Sequence, residues 1–564
     1  MIRELAERGS ARRRGQGIGR AAVMIGVITV LARLVGFGRQ VVFAHTVGTT
    51  CLGTAYTTAN MVPNIIYDVV LGGALSSVVV PVLAGPAAAA RGAELDAAVE
   101  AAHARRITSA LLTWTVLLLV PASAAVALTA HPIVAALLSR ATGCPRADLA
   151  GTGARMLIVF APQVLLYGLA VVLYGVLQSH RRFGAPALAP LLSSLVVIGA
   201  YAGFGAVGGA YVSRLHALPP AAEYLLSGGT TLGVVALVVT AAVPAWRLLA
   251  GTRPTLRFPP GTGSRVRCLA IAGVVTLVAQ DASVAVVIVL ANRYGASGAL
   301  VIYGFAWAVF VVPYAVLAVP IATSAFPELS AGARGGTVAG AGAQGGPDVA
   351  QGFDVTASIS TRAVTVASWL GAATLAGARV PLARVFESHD VAAASVLALA
   401  LIAFAPGLVG YGLSANLSRV LFACGRNRAT ATAVAAGWLV VIVADLMMVP
   451  FVPPERVVPA LGLGTTAGLT VSGITLLILV RRERGSAALL GVPRAFLAGL
   501  AGCVAGAAAG GAVAQALPVA GAFLNVAISV LVTVVVAVVF TGVVLSLDGG
   551  DLRAALGRLH ARPG

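Results

Sequence analysis

The sequence predicts an all-α, polytopic membrane protein with 14 transmembrane helices, and three observations support this prediction. Of the 564 residues, 59% are hydrophobic and only 10% are charged, and the mean hydropathy is +0.95. Apolar runs of about 20 residues, long enough to cross a bilayer as helices, recur along the whole chain. These runs are continuous rather than alternating, which excludes a transmembrane β-barrel. Such a composition also excludes a soluble domain of this size.

The predicted elements follow the apolar runs, which charged or turn-forming segments separate. The spans are 19–44, 54–85, 107–130, 151–178, 186–209, 228–248, 267–292, 299–326, 355–377, 391–414, 428–451, 458–480, 494–514 and 521–546. The basic start precedes a full-length span without a small-residue cleavage site, so it is interpreted as a cytoplasmic tail rather than a signal peptide.

Grouping these spans gives the predicted domain organisation. It consists of a basic tail (1–18), two six-helix bundles (19–248 and 249–480, with cytoplasmic linkers at 249–266 and 328–354), two additional helices (481–546) and a cytoplasmic tail (547–564). The glycine-rich segment near 328–354 is interpreted as a flexible linker between the halves.

The distribution of arginine predicts the orientation in the membrane. All 38 basic residues are arginines: with the start of the chain inside, 28 fall in cytoplasmic segments, 8 in outer segments, and Arg33 and Arg39 within the first helix. This asymmetry follows the positive-inside rule, and an even number of spans then places both termini in the cytoplasm. The net charge of +19 is therefore attributed to topology and contact with anionic lipids, not to nucleic-acid binding.

An internal repeat indicates a transporter. The segment APQVLLYGLAVVLYGVLQSHRRFGA at 161–185 matches APGLVGYGLSANLSRVLFACGRNRA at 405–429 without gaps, and Tyr167 corresponds to Tyr411. Both copies begin outside and end inside, so the repeat is parallel. Two such bundles are typical of transporters that bind cargo at the bundle interface and alternate between two orientations.

Polar residues in the first two helices are the candidate cargo site. The first helix contains Arg33 and Arg39, and the second contains Asn60, Asn64 and Asp68. Charges at bilayer depth are costly, so they usually face a cavity or a pathway. Two arginines in one helix predict a cationic cavity for an anionic cargo. The alternative is that both side chains extend to the lipid headgroups.

Other motifs exclude several activities. The His and Cys residues show no metal-binding or redox spacing, and no G-x-x-x-x-G-K-[ST] loop is present, so neither a resident metal nor ATP hydrolysis is expected. Cys51 and Cys144 both fall on the predicted outer side, and we predict free thiols there rather than a disulfide. The Gly462–Gly464 fragment is interpreted as a helix-packing feature. No loop has room for a soluble catalytic domain, so the chain is not expected to be an enzyme.

Several segments, in order along the chain, resemble the MurJ/MviN family of lipid II flippases. They are ITVLARLVGFGRQVVFAHTVG (28–48), PNIIYDVVLGGALSSVVVPVL (63–83), LQSHRRFGAPALAP (177–190), VVPYAVLAVPIATSAFPELS (311–330) and GYGLSANLSRVLFACGRNRAT (410–430). The similarity is of the actinobacterial type, covers the first twelve helices, and leaves the last two as the pair this family adds. It implies membership of the multidrug/oligosaccharidyl-lipid/polysaccharide (MOP) exporter superfamily. It also implies transfer of undecaprenyl-pyrophosphate-linked disaccharide pentapeptide to the outer leaflet for peptidoglycan synthesis.

The resemblance also implies roles for particular residues. Arg33 and Arg39 match the family's cavity arginines, and arginine binds a pyrophosphate in a bidentate manner. The chain departs from better-studied relatives where those relatives carry charges, at Thr54, Tyr67, Gly72 and Ala308. These losses reduce the positive charge of the cavity, so a related lipid-linked molecule remains an alternative cargo.

Cation coupling is a further implication of the resemblance. Some family members form a sodium site from acids on the seventh and eleventh helices, where this chain has Asp281 and Asp445. Oxygen ligands suit such a cation, and Thr465 or Thr466 is near enough in sequence to contribute. The alternative is a pair of buried acids that stay protonated or pair with an arginine.

The sequence therefore predicts a lipid II flippase of the bacterial plasma membrane that works by alternating access. No cofactor is expected apart from coupling to Na⁺, H⁺ or the membrane potential. Expected partners are the lipid cargo, anionic membrane lipids and proteins of cell division or wall synthesis. The alternatives are an exporter of another lipid-linked oligosaccharide, a drug/cation antiporter of the same superfamily, and a non-transporting membrane scaffold.

Overall fold

In the computed structural model the chain is helical almost throughout, and its described residues contain no β-strand. The structure describes residues 24, 26–68, 94–138, 143–180, 182–250, 253–257, 262–338, 347–387, 391–517 and 521–560. The all-α prediction is therefore confirmed. The predicted tail 1–18 and the departure at Gly72 lie outside these residues.

Most predicted spans correspond to helices that are long and apolar enough to cross a membrane. Among the described residues, 11 single helices meet this condition, and two bent helix pairs raise the number to 13. The second predicted span is described only through Asp68, as the helix Cys51–Tyr67 and the residue that follows it. The total of fourteen therefore stays a prediction.

The chain divides into two compact units. Unit 1 comprises Met1–Thr46, Ala59–Val134 and Gly151–Val274, and unit 2 comprises Val47–Thr58, Ala135–Ala150 and Val275–Gly564. In chain order the helices are α1 (Gly26–Thr46), α2 (Cys51–Tyr67), α3 (Glu94–Leu128), α4 (Ala130–Leu137), α5 (Arg146–Phe160), α6 (Gln163–Ser179), α7 (Gly184–Gly208), α8 (Pro220–Leu249), α9 (Thr262–Tyr294), α10 (Ala299–Pro313), α11 (Val319–Val338), α12 (Pro347–Gly377), α13 (Arg379–Val385), α14 (Val391–Phe404), α15 (Gly407–Ala423), α16 (Asn427–Met448), α17 (Val457–Arg484), α18 (Val492–Ala516) and α19 (Ala522–His560).

Small residues hold the helices of unit 1 together. Helices α7 and α8 pack closely because glycines of α8 have no side chain at the contact. A Cβ atom added at Gly229 would collide with Ala200, and one added at Gly233 would collide with Val197. In a membrane, where lipid offers no hydrophobic drive for helix association, such close contacts are a main source of stability. Helices α6 and α8 share a buried cluster, formed by Leu173, Leu177, Ala241 and Ala245.

Glycines in α17 organise unit 2 in the same way. Gly462 lies against the ring of Phe404, Gly464 lies against the carboxylate of Asp445, and Gly468 lies against Val441. The interpretation of the Gly462–Gly464 fragment as a packing feature is therefore confirmed. The last two helices, α18 and α19, pack through glycines of α18 against Val536 and Phe540.

A short break interrupts the corresponding predicted span in each repeat. Ala161 and Pro162 separate α5 from α6, and Ala405 and Pro406 separate α14 from α15, where the axis bends by 46°. Proline lacks a backbone N–H, so it starts a helix more readily than it continues one. The repeated Ala-Pro dipeptide therefore marks an irregularity that hydropathy alone does not show.

Helix α15 extends to Ala423, so the predicted end of the tenth span at 414 is wrong. Two polar residues at this point, Ser414 and Asn416, are buried against neighbouring helices instead of lying in a loop. Ser414 donates a hydrogen bond to Ser472 at 3.0 Å, and Asn416 donates one to Thr361 at 3.0 Å. Interhelical partners therefore allow the helix to continue through polar sequence.

Both predicted linkers contain described residues with regular structure or fixed contacts. The segment 328–354 is helical through Val338 and again from Pro347, residues 339–346 lie outside the described residues, and its interpretation as a flexible linker stays a prediction. Residues 253–257, in the other linker, run along α3. Trp114 donates to the carbonyl of Leu256 at 3.1 Å, and the backbone N–H of Thr255 donates to Thr113 at 3.2 Å. These contacts fix a segment that its polar composition marked as a loop.

The prediction of free thiols at Cys51 and Cys144 is wrong, because the two residues form a disulfide. Cys51 begins α2, and Cys144 lies in the turn before α5, with their Cα atoms 5.8 Å apart. The separation of 93 residues gave no sign of this proximity. It arises because both segments pack within unit 2 around the turn between α9 and α10, where Ser297 lies 3.4 Å from the sulfur of Cys144.

Candidate substrate-binding and coupling sites

The two predicted arginines occupy different surroundings on α1. Arg33 is exposed and Arg39 is half-buried. A separation of six residues on an α-helix places them about 9 Å apart along the axis and on different faces. Neither arginine forms an ion pair or hydrogen bond with another described residue. Of the two, Arg39 is therefore the one that other residues partly cover.

A pair of tyrosines lies beside Arg39 in unit 1. The rings of Tyr67 and Tyr167 pack with their centroids 4.7 Å apart. The charges of Arg39 and Asp68 both act on the Tyr167 hydroxyl, which places a cation and an acid in the same neighbourhood. The aromatic part of Tyr67 rests on a buried cluster that contains Leu119, so its ring position is fixed. This group combines a guanidinium with ring faces and hydroxyls.

The polar residues of α2 form a stripe in unit 1. Asn60, Asn64 and Asp68 recur every four residues, which puts them on one helix face. The side-chain oxygen of Asn60 is buried and has no hydrogen-bond partner among the described residues, while Asn64 and Asp68 are half-buried. Pro63 lies within this helix and leaves a backbone carbonyl of the preceding turn without its usual donor. Unsatisfied polar groups in an apolar setting favour a polar ligand or water there.

In unit 2, two of the three predicted coupling residues lie together. Asp445 is fully buried, and neither of its carboxylate oxygens has a hydrogen-bond partner within the described part of the chain. Its charge acts on Tyr303, and the Tyr303 hydroxyl also interacts with Thr465. Thr465 donates its own proton to the carbonyl of Leu461 at 2.9 Å, so its oxygen still offers lone pairs. The group supplies oxygen ligands without a counter-charge.

Asp281 and Thr466 have other surroundings. Asp281 is buried in α9, and its part in this group stays a prediction. The Thr466 hydroxyl donates to the carbonyl of Ala403 at 2.6 Å and helps to hold α17 against α14. Of the two threonines considered as ligands, Thr465 is therefore the one beside the buried acid.

Unit 2 also contains a polar contact set at Thr54, one of the positions where the chain departs from its relatives. The Thr54 hydroxyl accepts a hydrogen bond from the backbone N–H of Gly298 at 3.2 Å. Asn292 donates to Thr58 at 3.1 Å and to the carbonyl of Leu137 at 3.4 Å. Sequence reasoning missed Asn292 because a single asparagine near a helix end carries no pattern.

Comparisons with known proteins indicate the family and the fold. The sequence profile described as "Lipid II flippase MurJ" matches residues 43–524. The chain belongs to the lipid II flippase MurJ family. A probable lipid II flippase MurJ from Rhizobium meliloti (strain 1021) is 28% identical over 326 residues, which are 56% of this chain and 55% of that protein. A second, from Rhizobium tropici, is 24% identical over 56% of each chain. The alignments thus span about half the length of these relatives.

The fold matches over most of the chain. A solved structure of lipid II flippase MurJ in an inward closed conformation superposes with a TM-score of 0.68 at 16% identity, covering 93% of this chain and 99% of that one. An inward-facing multidrug resistance MATE family transporter of the MOP superfamily superposes with a TM-score of 0.60 at 13% identity, covering 83% and 98%. The chain is a multi-pass membrane protein with the MurJ-like fold. At these identities the likeness extends to the fold alone.

Proposed function

We propose that the protein flips lipid II, the undecaprenyl-pyrophosphate-linked peptidoglycan precursor, from the inner to the outer leaflet by alternating access. The observation that carries this proposal is Arg39, a half-buried guanidinium without an acidic partner among the described residues, set beside the Tyr67–Tyr167 pair. A guanidinium keeps its charge at any accessible pH and binds two phosphate oxygens at once. Family membership supports the same cargo.

The polar stripe of α2 extends this site. Asn60 and Asn64 offer amide donors and acceptors to the sugar and peptide part of the cargo, and Arg33 adds positive charge further along α1. An arginine-rich site repels a cationic drug, which disfavours a drug antiporter. An exporter of another undecaprenyl-linked oligosaccharide would use the same chemistry, and a direct cargo assay separates the two.

We further propose that Asp445, Thr465 and Asp281 couple transport to Na⁺, H⁺ or the membrane potential. Asp445 supports this role because a buried carboxylate without hydrogen bonds is costly unless a proton or cation neutralises it. Moving one charge across the membrane supplies about 2.3 kcal/mol per 100 mV. We expect Asp445→Asn to keep its abundance in the membrane but to lose the dependence of transport on sodium, pH or voltage. If transport by Asp445→Asn in vesicles depends on sodium, pH or voltage as wild-type transport does, the coupling role is contradicted.

The setting follows from the proposed activity. The protein is expected in the bacterial plasma membrane with both termini in the cytoplasm, in contact with anionic lipids and with proteins of cell division or wall synthesis. Complementation of cells depleted of their own flippase tests the function. Wild type should restore growth, and Arg39→Ala should fail although it inserts normally. The control Arg456→Ala, at an exposed position outside the site, should succeed.

A further inference from the structure

Unit 2 contains a group of aromatic rings with one arginine beside it. The rings of Tyr314 and Tyr411 stack with their centroids 3.9 Å apart and an interplanar angle of 25°. The ring of Trp307 lies 6.4 Å from that of Tyr411. The charge of Arg419 acts on the Tyr314 hydroxyl, and the two tyrosine hydroxyls interact with each other. Rings, hydroxyls and a guanidinium therefore share one region of α10, the π-helical turn after it, and α15.

These side chains lie on helix faces that are incompletely covered. Between Gly407 and Leu421, helix α15 is buried except at four positions, and these recur at helical spacing: Tyr411, Ala415, Ser418 and Arg419. Helix α10 shows a similar half-buried stripe, formed by Gly304, Trp307, Ala308 and Val311. An uncovered stripe of small, aromatic and charged residues differs from the apolar face that lipid contact requires. It is the kind of surface that binds a polar ligand.

The backbone fixes the position of the tyrosine pair. Tyr314 begins a π-helical turn, Tyr314–Ala318, which follows Pro313 directly, and such turns are frequent at functional sites. The Tyr314 ring packs against a buried cluster that contains Ala318 and Val364. On α15, Asn416 donates to Thr361 and so anchors the opposite side of the helix to α12. The rings are therefore held in place before any ligand arrives.

Arg419 is available for an anion. One of its guanidinium nitrogens donates to the carbonyl of Ala415 at 2.6 Å, one turn earlier in the same helix. No carboxylate in the described part of the chain forms an ion pair with it. Within the described residues this is the one hydrogen bond of its guanidinium, and a half-buried guanidinium with donors to spare gains most from an anionic ligand.

The same combination occurs in unit 1, which argues against simple packing. Tyr411 corresponds to Tyr167 in the internal repeat, and Tyr167 also packs against a second tyrosine, Tyr67. In unit 1 the nearby cation is Arg39, from a helix that has no repeat relation to Arg419. Each unit therefore pairs two packed tyrosine rings, tilted in unit 1 and stacked in unit 2, with an arginine, although the two arginines come from different positions in the repeat.

We propose that Arg419, Tyr314, Tyr411 and Trp307 form a recognition subsite for an anionic sugar, that is, a pyranose ring carrying a phosphate or a carboxylate. The apolar face of a sugar ring stacks on aromatic side chains, the tyrosine hydroxyls bond to its hydroxyls, and Arg419 binds the anionic group. This inference rests on the proposed function, because lipid II carries both sugars and anionic groups. All four residues of the subsite belong to unit 2.

Binding measurements on the purified full-length protein test the subsite, with lipid II and sugar-free undecaprenyl pyrophosphate as the two probes. We expect Arg419→Gln and Tyr411→Leu each to lower lipid II affinity by about ten-fold, a typical cost for one charge-assisted or aromatic contact. Tyr411→Leu should leave binding of undecaprenyl pyrophosphate unchanged, because that probe has no sugar. Arg419→Lys and Tyr411→Phe should retain most of the affinity, and the control Arg428→Gln, at an exposed position, should retain all of it.

The two probes also identify the anion. If Arg419→Gln weakens both probes, the arginine binds a phosphate, and if it weakens lipid II alone, the arginine binds a carboxylate of the headgroup. Either result supports the subsite. If wild type flips lipid II and all four site variants bind it as wild type does, the subsite is wrong while the proposed function stands. If wild type neither binds nor flips lipid II, the proposed function fails and the subsite with it. Should one of Arg419→Gln and Tyr411→Leu not fold, the other is measured alone: a loss of about ten-fold in its lipid II affinity supports the subsite, and wild-type affinity overturns it.

Discussion

Replacing Gly464 by alanine tests whether the Asp445 carboxylate lies where the structure places it. An added Cβ would overlap Oδ1 of Asp445 and approach its Cγ to 2.9 Å, closer than real Cβ contacts allow. Either the carboxylate rotates away or α16 and α17 move apart. Overpacking of this kind in a close-packed interior costs about 1–3 kcal/mol. We therefore expect Gly464→Ala to lower the thermal stability of the purified protein measurably.

A double-mutant cycle makes this test specific. Asp445→Ala removes the colliding atoms, so Gly464→Ala should cost less in that background, with an interaction energy of about 0.5–3 kcal/mol. The control Gly228→Ala has no atom within 4 Å of its added Cβ and should be as stable as wild type or slightly more stable. The assay is thermal unfolding in detergent for the four proteins of the cycle and the control. Equal destabilisation in both backgrounds, or none in either, would refute the packing of Asp445 on Gly464.

Two further predictions concern topology and the disulfide. In a background that lacks the other reactive thiols, Glu455→Cys should react with an impermeant thiol reagent in intact cells, and Ser486→Cys should react only after lysis. The reverse pattern would overturn the orientation inferred from arginine. Cys51 and Cys144 should resist alkylation in non-reduced protein and react after reduction, as mass spectrometry can show. Alkylation of either thiol in non-reduced protein would contradict the disulfide.

The helical class could be predicted because it depends on local composition. Apolar runs with few charges can satisfy their backbone in lipid only as helices, so the class follows from hydropathy. Helix ends were less predictable. The predicted tenth span ends too early, at polar residues whose partners are distant in sequence: Ser414 donates to Ser472, and Asn416 donates to Thr361. Such partners lie tens of residues away in the chain and leave no local signal.

In the candidate sites too, relations within one helix could be predicted from the sequence, and contacts between helices could not. Asn60, Asn64 and Asp68 could be placed on one face from their spacing alone, since a regular helix fixes that relation. The surroundings of Arg39 could not be predicted in this way, because Tyr167 lies near Arg39 only as a result of tertiary packing. Nothing in the local sequence distinguishes Arg419 from other arginines near helix ends, although the repeat aligns Tyr411, on the same helix, with Tyr167. Comparing the two repeats for shared aromatic positions could have drawn attention to it.

Reconstituted flipping of lipid II tests the central claim most directly. Purified protein in liposomes is supplied with lipid II in one leaflet, and the amount that becomes accessible in the other leaflet is measured over time. The account predicts flipping by wild type, at least ten-fold slower flipping by Arg39→Ala (about 1.4 kcal/mol or more of lost interaction) and partial recovery by Arg39→Lys. Flipping by Arg39→Ala at the wild-type rate, or no flipping by wild-type protein that is folded and energised, would contradict it.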